Sequence, residues 1–503
     1  MTFFALLSVF MVVVSYLFVI GLAAACVYLP YLILANSEGD IRIIVLFLFG
    51  IVIAATMLWS MLPRFDKFKA PGLLLERSSQ PRLFAELENI AAALNEPLPR
   101  EVYLIGDVNA WVADRGGFMG IGSRRVMGLG LPLLSILTIS QFRAVLAHEF
   151  AHYYGGDTSL GPWVYKTQSA IARIFQNIGS VGELARIAIL GVMYVVVATL
   201  MKWYFMLFLR AINLASRQRE LRADELACLI AGRQPLIDGL RAIHGAALAW
   251  PAFWKTEISP IVSEGALPGI GEGFARFVAV ADIREQIQRG LEKEIQEAKR
   301  NPYDSHPPLS DRIAAAENMA ENSVQQDFTP ARTLLDQADA MELRFLEEAN
   351  PDLKAGSVKC ISWEDLGPKV TIPQWKQMTT EYSAALQGVT AGTIPEQVPK
   401  LPAIGASMRD PKGMLLGPEQ RRMRAAHLLG MGLALALLAQ GWELDVSPGM
   451  FDLRKGAESF NPFRMVEQLV EGKLLIPAWK ARCQELGISE LPIGVEAGAG
   501  VQN

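Results

Sequence analysis

The feature that most constrains this chain is a run of 33 residues without a charge, Phe3–Ala35. A second uncharged run of 20 residues follows at Ile43–Leu62. A helix needs about 20 consecutive apolar residues to cross the hydrocarbon core of a bilayer, so each run is long enough. Uncharged runs of this length are rare in soluble folds. Because only the short polar turn 36–40 separates the two runs, the sequence predicts a transmembrane helical hairpin over residues 1–62.

Charges beside the two runs predict which way the hairpin faces. Four basic residues follow the second run: Arg64, Lys67, Lys69 and Arg77. The turn between the runs instead carries Glu38 and Asp40, with only Arg42 nearby. Lys and Arg accumulate on the cytoplasmic side of membrane proteins. We therefore expect a multi-pass protein of the plasma or inner membrane, with the turn facing outward and the chain from residue 63 onward facing the cytoplasm.

Composition excludes several other classes of protein. Apolar residues make up 51% of the chain and charged residues 19%, which excludes a disordered chain. With 47 basic and 51 acidic residues the net charge is −4, so no overall positive field favours a nucleic-acid partner. The cysteines lie far apart without a CxxC pair, which excludes a disulfide scaffold and a thiolate zinc site. They are Cys26, Cys228, Cys360 and Cys483. Because the chain has only five histidines, their positions are informative.

Two of the histidines, His148 and His152, form an HExxH motif within a helix predicted over Ser140–Tyr154. The i,i+4 spacing places both imidazoles on one helical face, one turn apart, where they can share one Zn²⁺. Glu149 lies about 100° further round, close enough to hold a water molecule that zinc activates and to take its proton. Apolar residues at helical spacing indicate that the helix is buried, which disfavours the alternative of two surface histidines. The motif therefore predicts a catalytic zinc site.

A catalytic zinc ion needs a third protein ligand and one open position. A metzincin would place a histidine six residues after His152, but that position holds Thr158, which excludes the class. The alternative is a carboxylate from a later helix, such as the one predicted over Arg217–Ile230. Within it Glu220 and Asp224 share a face; Glu220 would bind zinc, and Asp224 would hydrogen-bond a ligand imidazole and fix its tautomer. Spacing alone leaves this open, since salt bridges to neighbouring arginines are the simpler interpretation.

Four segments, in order along the chain, resemble the motifs of one known family. They are Asn109–Trp111, Ala144–His152, Ser216–Asp224 and Ser305–Ile313, similar to its NAF/NAW, AVLAHExxH, SRxxExxAD and SHPPLxxRI motifs. On these segments the chain resembles the HtpX and type 1 CAAX prenyl protease family of integral-membrane zinc metalloendopeptidases, which are gluzincins. The resemblance covers residues 65–320 and the amino-terminal hairpin.

The resemblance implies further site roles. The glutamate of the third motif is a zinc ligand in this family, which makes Glu220 the third ligand and implies one Zn²⁺ per chain. The histidine of the fourth motif lies at the family's site, so His306 is expected to stabilise the oxyanion that forms on the peptide carbonyl. Arg312 is expected to pair with a site carboxylate. Asn109 is expected to hold the substrate backbone along an edge strand, as in β-strand addition.

We expect a mainly α-helical fold with a small β-sheet, in which a gluzincin-type zinc metallopeptidase domain is attached to the hairpin. The predicted divisions are residues 1–62 for the hairpin, 63–330 for the peptidase domain and 331–503 for a carboxy-terminal domain of unknown role. Short β-rich stretches predict strands at Glu101–Gly106, Asn109–Val112 and Arg125–Leu131.

The predicted peptidase domain contains one further apolar segment, residues 187–209, which is expected to associate with the membrane. The residues before it, 163–186, make a poor span because they carry four charges: Lys166, Arg173, Glu183 and Arg186. Since His148 and Glu220 have to reach one metal ion, the intervening chain crosses the membrane either twice or not at all. We therefore expect either a hairpin whose first arm is poorly apolar or a helix lying against the membrane. The apolar residues 427–438 are too few to span and predict a buried helix.

These features predict a membrane-bound zinc-dependent endopeptidase that hydrolyses peptide bonds through a zinc-activated water, with Glu149 as general base. Its expected partners are the lipid bilayer and protein or peptide substrates, chiefly membrane proteins, and not nucleic acid. The resemblance implies a role in membrane-protein quality control. One alternative is a prenyl-peptide (CAAX) protease, which would need an enclosed chamber built from more spans than the sequence offers. Another is a non-catalytic zinc-containing scaffold or chaperone-like adaptor, but such a site would need no general base.

Overall fold

The computed structural model describes residues 3–37, 40–118, 121–154, 161–181, 188–298, 301, 303–304, 306–321, 324–350, 353, 356–410 and 415–494. Several residues named above lie outside the described ones: Glu38, Thr158, Glu183, Arg186 and Ser305. The described residues are mainly helical and contain three small β-sheets, which confirms the predicted fold class.

The two uncharged runs form the helices α1 (Phe3–Ala35) and α2 (Ile41–Met61), which pack against each other. The two helices approach closely at Gly50, where a Cβ atom would lie 2.0 Å from the carbonyl oxygen of Cys26. Small residues permit this kind of close approach between membrane helices. Both helices are long and apolar enough to cross a bilayer, so the predicted pair of apolar helices is present.

A four-stranded sheet follows the two helices. Its strands are β1 (Leu73–Leu75), β2 (Glu101–Ile105), β3 (Ala110–Arg115) and β4 (Arg124–Gly130). The helix α3 (Pro81–Ala93) lies between β1 and β2 in the sequence. The strand order is β1-β2-β4-β3, in which β2 and β4 are parallel and the two outer pairs are antiparallel. The three predicted strands are present, whereas the sequence did not predict the three-residue β1. Because β3 is an edge strand, one side of its backbone has no strand partner among the described residues.

The strand β4 leads into α4 (Leu131–Ile136) and then α5 (Ile139–Ala151), the helix that carries the HExxH motif. A capping box begins α5: the hydroxyl of Thr138 accepts a hydrogen bond from the backbone N–H of Gln141, whose side chain accepts one from the backbone N–H of Thr138. Most side chains of α5 are buried, as its apolar spacing predicts. The helix ends slightly earlier than predicted, with His152 as its carboxy-terminal cap.

Two further helices pack against α1 and α2: α6 (Gly161–Val181) and α7 (Ala188–Ala231). The helix α7 is unbroken over 44 residues and is about 66 Å long at about 1.5 Å per residue. Its first half contains the predicted apolar segment from residue 188 onward, and its second half contains the predicted carboxylate helix. Apolar side chains of α6 and α7 share one core with those of α1 and α2. This shared core favours the expected hairpin with a poorly apolar first arm.

The chain beyond α7 is mostly helical. The remaining elements are α8 (Arg233–Phe253), α9 (Ser259–Ser263), β5 (Ala266–Pro268), α10 (Ile270–Ala279), α11 (Ala281–Glu297), α12 (Leu309–Glu317), α13 (Ala338–Ala349), β6 (Lys359–Ile361), α14 (Trp363–Leu366), α15 (Ile372–Glu381), α16 (Ser383–Leu386), α17 (Leu401–Ser407), α18 (Pro418–Ala439), β7 (Glu443–Ser447), β8 (Met450–Lys455), β9 (Glu458–Phe460), α19 (Pro462–Val470) and α20 (Ile476–Glu485). The strands β5 and β6 form a parallel pair, and β7, β8 and β9 form an antiparallel sheet.

The chain divides into two compact units. The first comprises Met1–Leu248, Gln286–Ala338 and Arg344–Asn350, and the second comprises Ala249–Glu285, Asp339–Leu343 and Pro351–Asn503. The predicted boundary at residue 330 does not coincide with this division. The second unit takes in residues 249–285 because β5 pairs with β6. A separate role for residues 331–503 stays a prediction.

The second unit has its own core around α18. Three leucines of this helix, Leu428, Leu433 and Leu437, are buried in it together with Trp479 of α20. By length and composition α18 is one of four described helices that could cross a bilayer, the others being α1, α2 and α7. Its packing within the core of the unit agrees with the buried helix predicted over residues 427–438.

Candidate metal centre

Three residues predicted as zinc ligands lie together where α5 packs against α7. His148 and His152 belong to the end of α5, and Glu220 belongs to the second half of α7. Nε2 of His148 lies 3.4 Å from Oε2 of Glu220, and Nε2 of His152 lies 3.5 Å from Oε1 of Glu220. One possible ligand atom from each residue lies within 4.8 Å of the other two. The packing of the two helices therefore unites residues from distant parts of the sequence.

The spacing of these donor atoms fits a zinc ion. Bonds of about 2.0–2.2 Å from zinc to imidazole nitrogen and carboxylate oxygen, arranged tetrahedrally, separate neighbouring ligand atoms by about 3.4 Å. The distances from Glu220 to His148 and to His152 match this value. Oε2 of Glu220 is buried and makes no properly directed hydrogen bond within the described part of the chain. Two histidines and one glutamate form the ligand set of catalytic zinc sites, which keep one position open.

Asp224 and Arg312 support His148 on the side away from Glu220. Oδ1 of Asp224 lies 2.9 Å from Nδ1 of His148. The guanidinium of Arg312, on α12, donates two hydrogen bonds to the carboxylate of Asp224, at 2.9 and 2.6 Å. Both side chains are shielded from water, at 0% exposure for Asp224 and 11% for Arg312. The carboxylate contacts the His148 ring and the guanidinium contacts the carboxylate, an arrangement that can fix the orientation of the ring.

The electrostatics of the cluster favour a positive charge among the three residues. Burial lowers the pKa of His148, but its close contacts with the carboxylates of Asp224 and Glu220 outweigh burial and raise the pKa to about 9. Burial and the neighbouring charge of His148 lower the pKa of His152 to about 4. The carboxylates thus retain one positive charge on His148. Burial and that charge leave His152 neutral, the form in which histidine binds metals. A divalent cation would satisfy the same demand for positive charge.

Glu149 and His306 border the cluster. Burial raises the pKa of Glu149 to about 7, so that this carboxylate exchanges its proton near neutral pH. Nδ1 of His306 lies 3.0 Å from Oε2 of Glu220, and the His306 side chain is 65% exposed. The His306 imidazole therefore lies on the open side of the cluster, where it can reach a bound ligand.

Asn109 is the one predicted site residue that the structure does not bring to the cluster. It is exposed and directly precedes β3, and its backbone carbonyl accepts a hydrogen bond from the backbone N–H of Gly130 at 2.9 Å. The cavity beside the cluster is lined by later residues of β3, from Val112 to Arg115, and Asn109 is not among its described lining residues. Any contact of Asn109 with substrate stays a prediction.

A cavity of about 570 Å³ lies beside the metal-ligand cluster. His152 and Glu220 form part of its wall, together with β3, α6 and the end of α2. Several polar lining residues were not predicted as site residues: Arg64, Lys166, Ser169, Arg173, Ser216 and Arg219. From the sequence, Lys166 and Arg173 were interpreted only as charges that disfavour a membrane span. The signal that could have found them is amphipathicity, since other residues of α6 such as Ile171 belong to the apolar core.

Comparison with known proteins gives a family match over the part of the chain that contains this site. Residues 77–320 match peptidase family M48. The chain is 31% identical over 220 residues to a protein named Protease HtpX from Xylella fastidiosa, an alignment that covers 42% of this chain and 62% of the relative. It is 25% identical over 302 residues to Protease HtpX homolog 2 from Methanosarcina mazei, with 59% of this chain and 92% of the relative covered.

A third relative is similar over a comparable region. The chain is 27% identical over 215 residues to the Protease HtpX homolog from Chlorobium phaeobacteroides. This alignment covers 39% of this chain and 59% of the relative. The chain thus spans about three fifths of the length of the Xylella and Chlorobium proteins. No solved structure matches the chain.

Proposed function

We propose that the protein is a membrane-bound zinc-dependent endopeptidase, because residues 77–320 match peptidase family M48. The observation that carries the proposal is the spacing of the donor atoms of His148, His152 and Glu220, which suits one tetrahedral ion. These three residues would hold one Zn²⁺ per chain and leave a fourth position for the reaction.

The residues around the ligands supply the remaining chemistry. When bound, zinc supplies a Lewis acid that polarises a peptide carbonyl and makes water more acidic. Glu149 takes a proton from the attacking water as general base and returns it to the leaving amine. His306 donates a hydrogen bond to the carbonyl oxygen as negative charge develops there. Asp224 holds the His148 imidazole in one tautomer.

The edge strand β3 offers a surface along which substrate can bind. Its residues from Val112 to Arg115 line the cavity beside the ligands, and one side of β3 has no strand partner in the described part of the chain. An extended peptide can add to such an edge through backbone hydrogen bonds. We therefore expect the scissile segment to lie beside β3, and Asn109 to contact it beyond the cavity.

The membrane arrangement follows from the four helices that share one apolar core. The helices α1 and α2 would cross the membrane as a hairpin, and α6 with the first half of α7 would cross it as a second one. Two crossings between His152 and Glu220 keep all zinc ligands on one side, which the basic residues after α2 assign to the cytoplasm. In this position the enzyme would cleave membrane proteins, and the resemblance of its motifs implies quality control of such proteins.

Casein cleavage by the detergent-solubilised, zinc-loaded full chain tests the proposal. The wild type is compared with Glu149→Gln, which removes the general base but no zinc ligand. Glu297→Gln makes the same change at an exposed position of α11 and serves as the matched control. Bound zinc is counted in all three proteins. We expect one zinc per chain in each, and cleavage by the wild type and the control only.

Other outcomes would contradict particular parts of the proposal. Zinc bound by all three proteins without cleavage by any would favour the non-catalytic scaffold. Equal cleavage by wild type and Glu149→Gln would exclude Glu149 as the base. A wild type that binds no zinc would remove the basis of the metal site itself.

A further inference from the structure

One ammonium group in the cavity, that of Lys166, makes no hydrogen bond within the described part of the chain, and this observation extends the proposed function to the choice of substrate. Lys166 of α6 lines the cavity together with the ligands His152 and Glu220. Its Nζ atom is shielded from water and has no hydrogen-bond partner among the described residues. A buried ammonium group without a partner is unfavourable, because it has lost its hydration and gained no compensating contact. A ligand that supplies a negative charge at this place would remove that penalty.

The other charges of the cavity do not neutralise Lys166. Its basic lining residues are Arg64, Arg115, Lys166, Arg173 and Arg219, and its acidic ones are Asp66, Asp114 and Glu220. Asp66 interacts with the charge of Lys166 at a distance, but its carboxylate accepts hydrogen bonds of 2.9 and 3.2 Å from Arg115 and none from Lys166. Glu220 lies within the metal-ligand cluster. Among the described lining residues, Asp114 is thus the one acidic residue outside these contacts, whereas Lys166 and three arginines remain outside the Arg115–Asp66 pair. The cavity is therefore electropositive, and a bound divalent metal ion would make it more so.

We propose that this cavity selects peptides with a carboxylate close to the scissile bond, and that Lys166 binds this carboxylate. The inference rests on the proposed function, because it assigns the cavity to the substrate of the same site. A peptide is favoured over a lipid headgroup because the cavity wall includes both His152 and Glu220 and the edge strand β3. An occupant of the cavity therefore lies against the zinc ligands and against a backbone able to pair with an extended chain. The carboxylate can belong to an acidic side chain or to the free carboxy terminus of the substrate.

Matched fluorogenic peptides distinguish these two sources. They are built on a casein bond that the wild type cleaves, with Asp or Asn near the scissile bond and with a free or amidated carboxy terminus. Hydrogen bonds to charged groups contribute enough to favour the acidic peptide by about tenfold or more in kcat/KM. We expect this preference to appear in KM, because Lys166 contacts the carboxylate in ground and transition states alike. A preference for Asp over Asn identifies an acidic side chain as the source of the carboxylate, whereas a preference for the free over the amidated peptide identifies the carboxy terminus.

Variants of Lys166 test whether this residue causes the preference. Lys166→Met keeps the approximate length of the side chain and removes its charge. One hydrogen bond to a charged group accounts for about a tenfold ratio of kcat/KM between the acidic and the neutral peptide, so we expect this ratio to fall to about 1 in Lys166→Met. In Lys166→Arg the charge remains and we expect the preference to remain. Lys293→Met, at an exposed position of α11, is the matched control and should keep the wild-type ratio. A change in overall activity or yield affects both peptides equally, so it does not alter the ratio of their kcat/KM values.

Three results would overturn the inference alone, and a fourth would overturn it together with the proposed function. Wild-type enzyme that cleaves acidic and neutral peptides equally would refute carboxylate selection and leave the peptidase intact. A preference that survives in Lys166→Met would exclude Lys166 as its cause. If the peptide ratio is unchanged but Lys166→Met loses binding to phosphatidylglycerol vesicles, the cation serves a lipid headgroup instead. Absence of cleavage of every peptide and of casein by zinc-loaded wild type would contradict the proposed function and this inference together.

Discussion

At the scale of single residues, Asp224 links the proposed zinc ligand His148 to Arg312 in a region shielded from water. Replacing it by Asn removes the charge that orients His148 and leaves Arg312 buried without its counter-ion. We expect Asp224→Asn to bind zinc about 10–100-fold more weakly, as is usual when a partner of a ligand histidine is lost. We also expect it to lose about 3–5 kcal/mol in free energy of unfolding, because one partner of a buried ion pair is gone. Competition with a chelator, measured on monodisperse protein in detergent, gives the affinity.

The matched control for this change is Asp365→Asn. Asp365 is exposed and pairs with Lys369 on the surface of the second unit. Its replacement should leave zinc affinity unchanged, since surface ion pairs contribute little to stability and this one is not part of the metal-ligand cluster. Wild-type zinc affinity in Asp224→Asn would show that the contact with His148 is a structural ion pair only.

The residues of the site differ in how far sequence could identify them. His148 and His152 were identifiable because ligands one helical turn apart are a local property of the chain. Glu220 required the family resemblance, since its segment carries several carboxylates and only the packing of α5 on α7 distinguishes one of them. Lys166 was not identifiable, because burial of a cation on an amphipathic helix depends on what packs over it.

At the scale of elements, the contact between α1 and α2 depends on Gly50. A Cβ atom there would lie 2.0 Å from the backbone carbonyl oxygen of Cys26, so the two helices would have to separate. We expect Gly50→Val to destabilise the protein by about 1–3 kcal/mol, the usual range for overpacking. The temperature at which half of the detergent-solubilised protein loses its native elution volume measures this loss.

Gly21→Val is the matched control for Gly50→Val. Gly21 lies on α1 as well, but a Cβ atom at this exposed position meets no other atom within 4 Å. Its replacement should therefore leave the transition temperature unchanged. Equal losses in both variants would show that valine weakens these helices in general, and that the close approach at Gly50 is not what joins them.

The long elements of the fold could be predicted from the sequence, whereas the shortest strands could not. The helices α1 and α2 were identifiable from the length of their uncharged runs, and α5 from the helical spacing of its apolar residues. The strands β1, β5 and β6 have three residues each, too few to show alternation. The pairing of β5 with β6 joins distant segments and draws residues 249–285 into the second unit. A linear division of the sequence at residue 330 could not anticipate this grouping.

At the scale of the whole molecule, α7 would connect the membrane to the active site in the proposed arrangement. The predicted apolar segment ends at residue 209, and Glu220 follows about 16 Å further along the same unbroken helix. In the proposed arrangement, a rigid connection of this length would place the proposed zinc ligands close to the membrane surface, where a peptidase meets segments that emerge from the bilayer. Any crossing by α7 requires a second crossing by α6, because His152 and Glu220 share one site.

Cysteine labelling can test the orientation that follows from this arrangement. Ser37 lies in the turn between α1 and α2, and Ser79 lies in an exposed turn before α3. The changes are made in a Cys360→Ser background, since Cys360 is the exposed cysteine and Cys26, Cys228 and Cys483 are buried. We expect Ser37→Cys to react with a membrane-impermeant maleimide in intact spheroplasts. Ser79→Cys should react only after permeabilisation, because the basic residues that follow α2 retain that side in the cytoplasm.

Casein cleavage by both labelled variants would serve as the control for a native fold. Labelling of both positions in intact spheroplasts would mean that both ends of α2 lie on one side, so that α2 does not cross. The reverse pattern, with only Ser79→Cys labelled, would place the zinc site on the outer face, against the expectation from Arg64, Lys67 and Lys69. His148 and Glu220 would still share one ion in that case, since a pair of crossings reverses as a unit. The labelling therefore tests the orientation independently of the metal site.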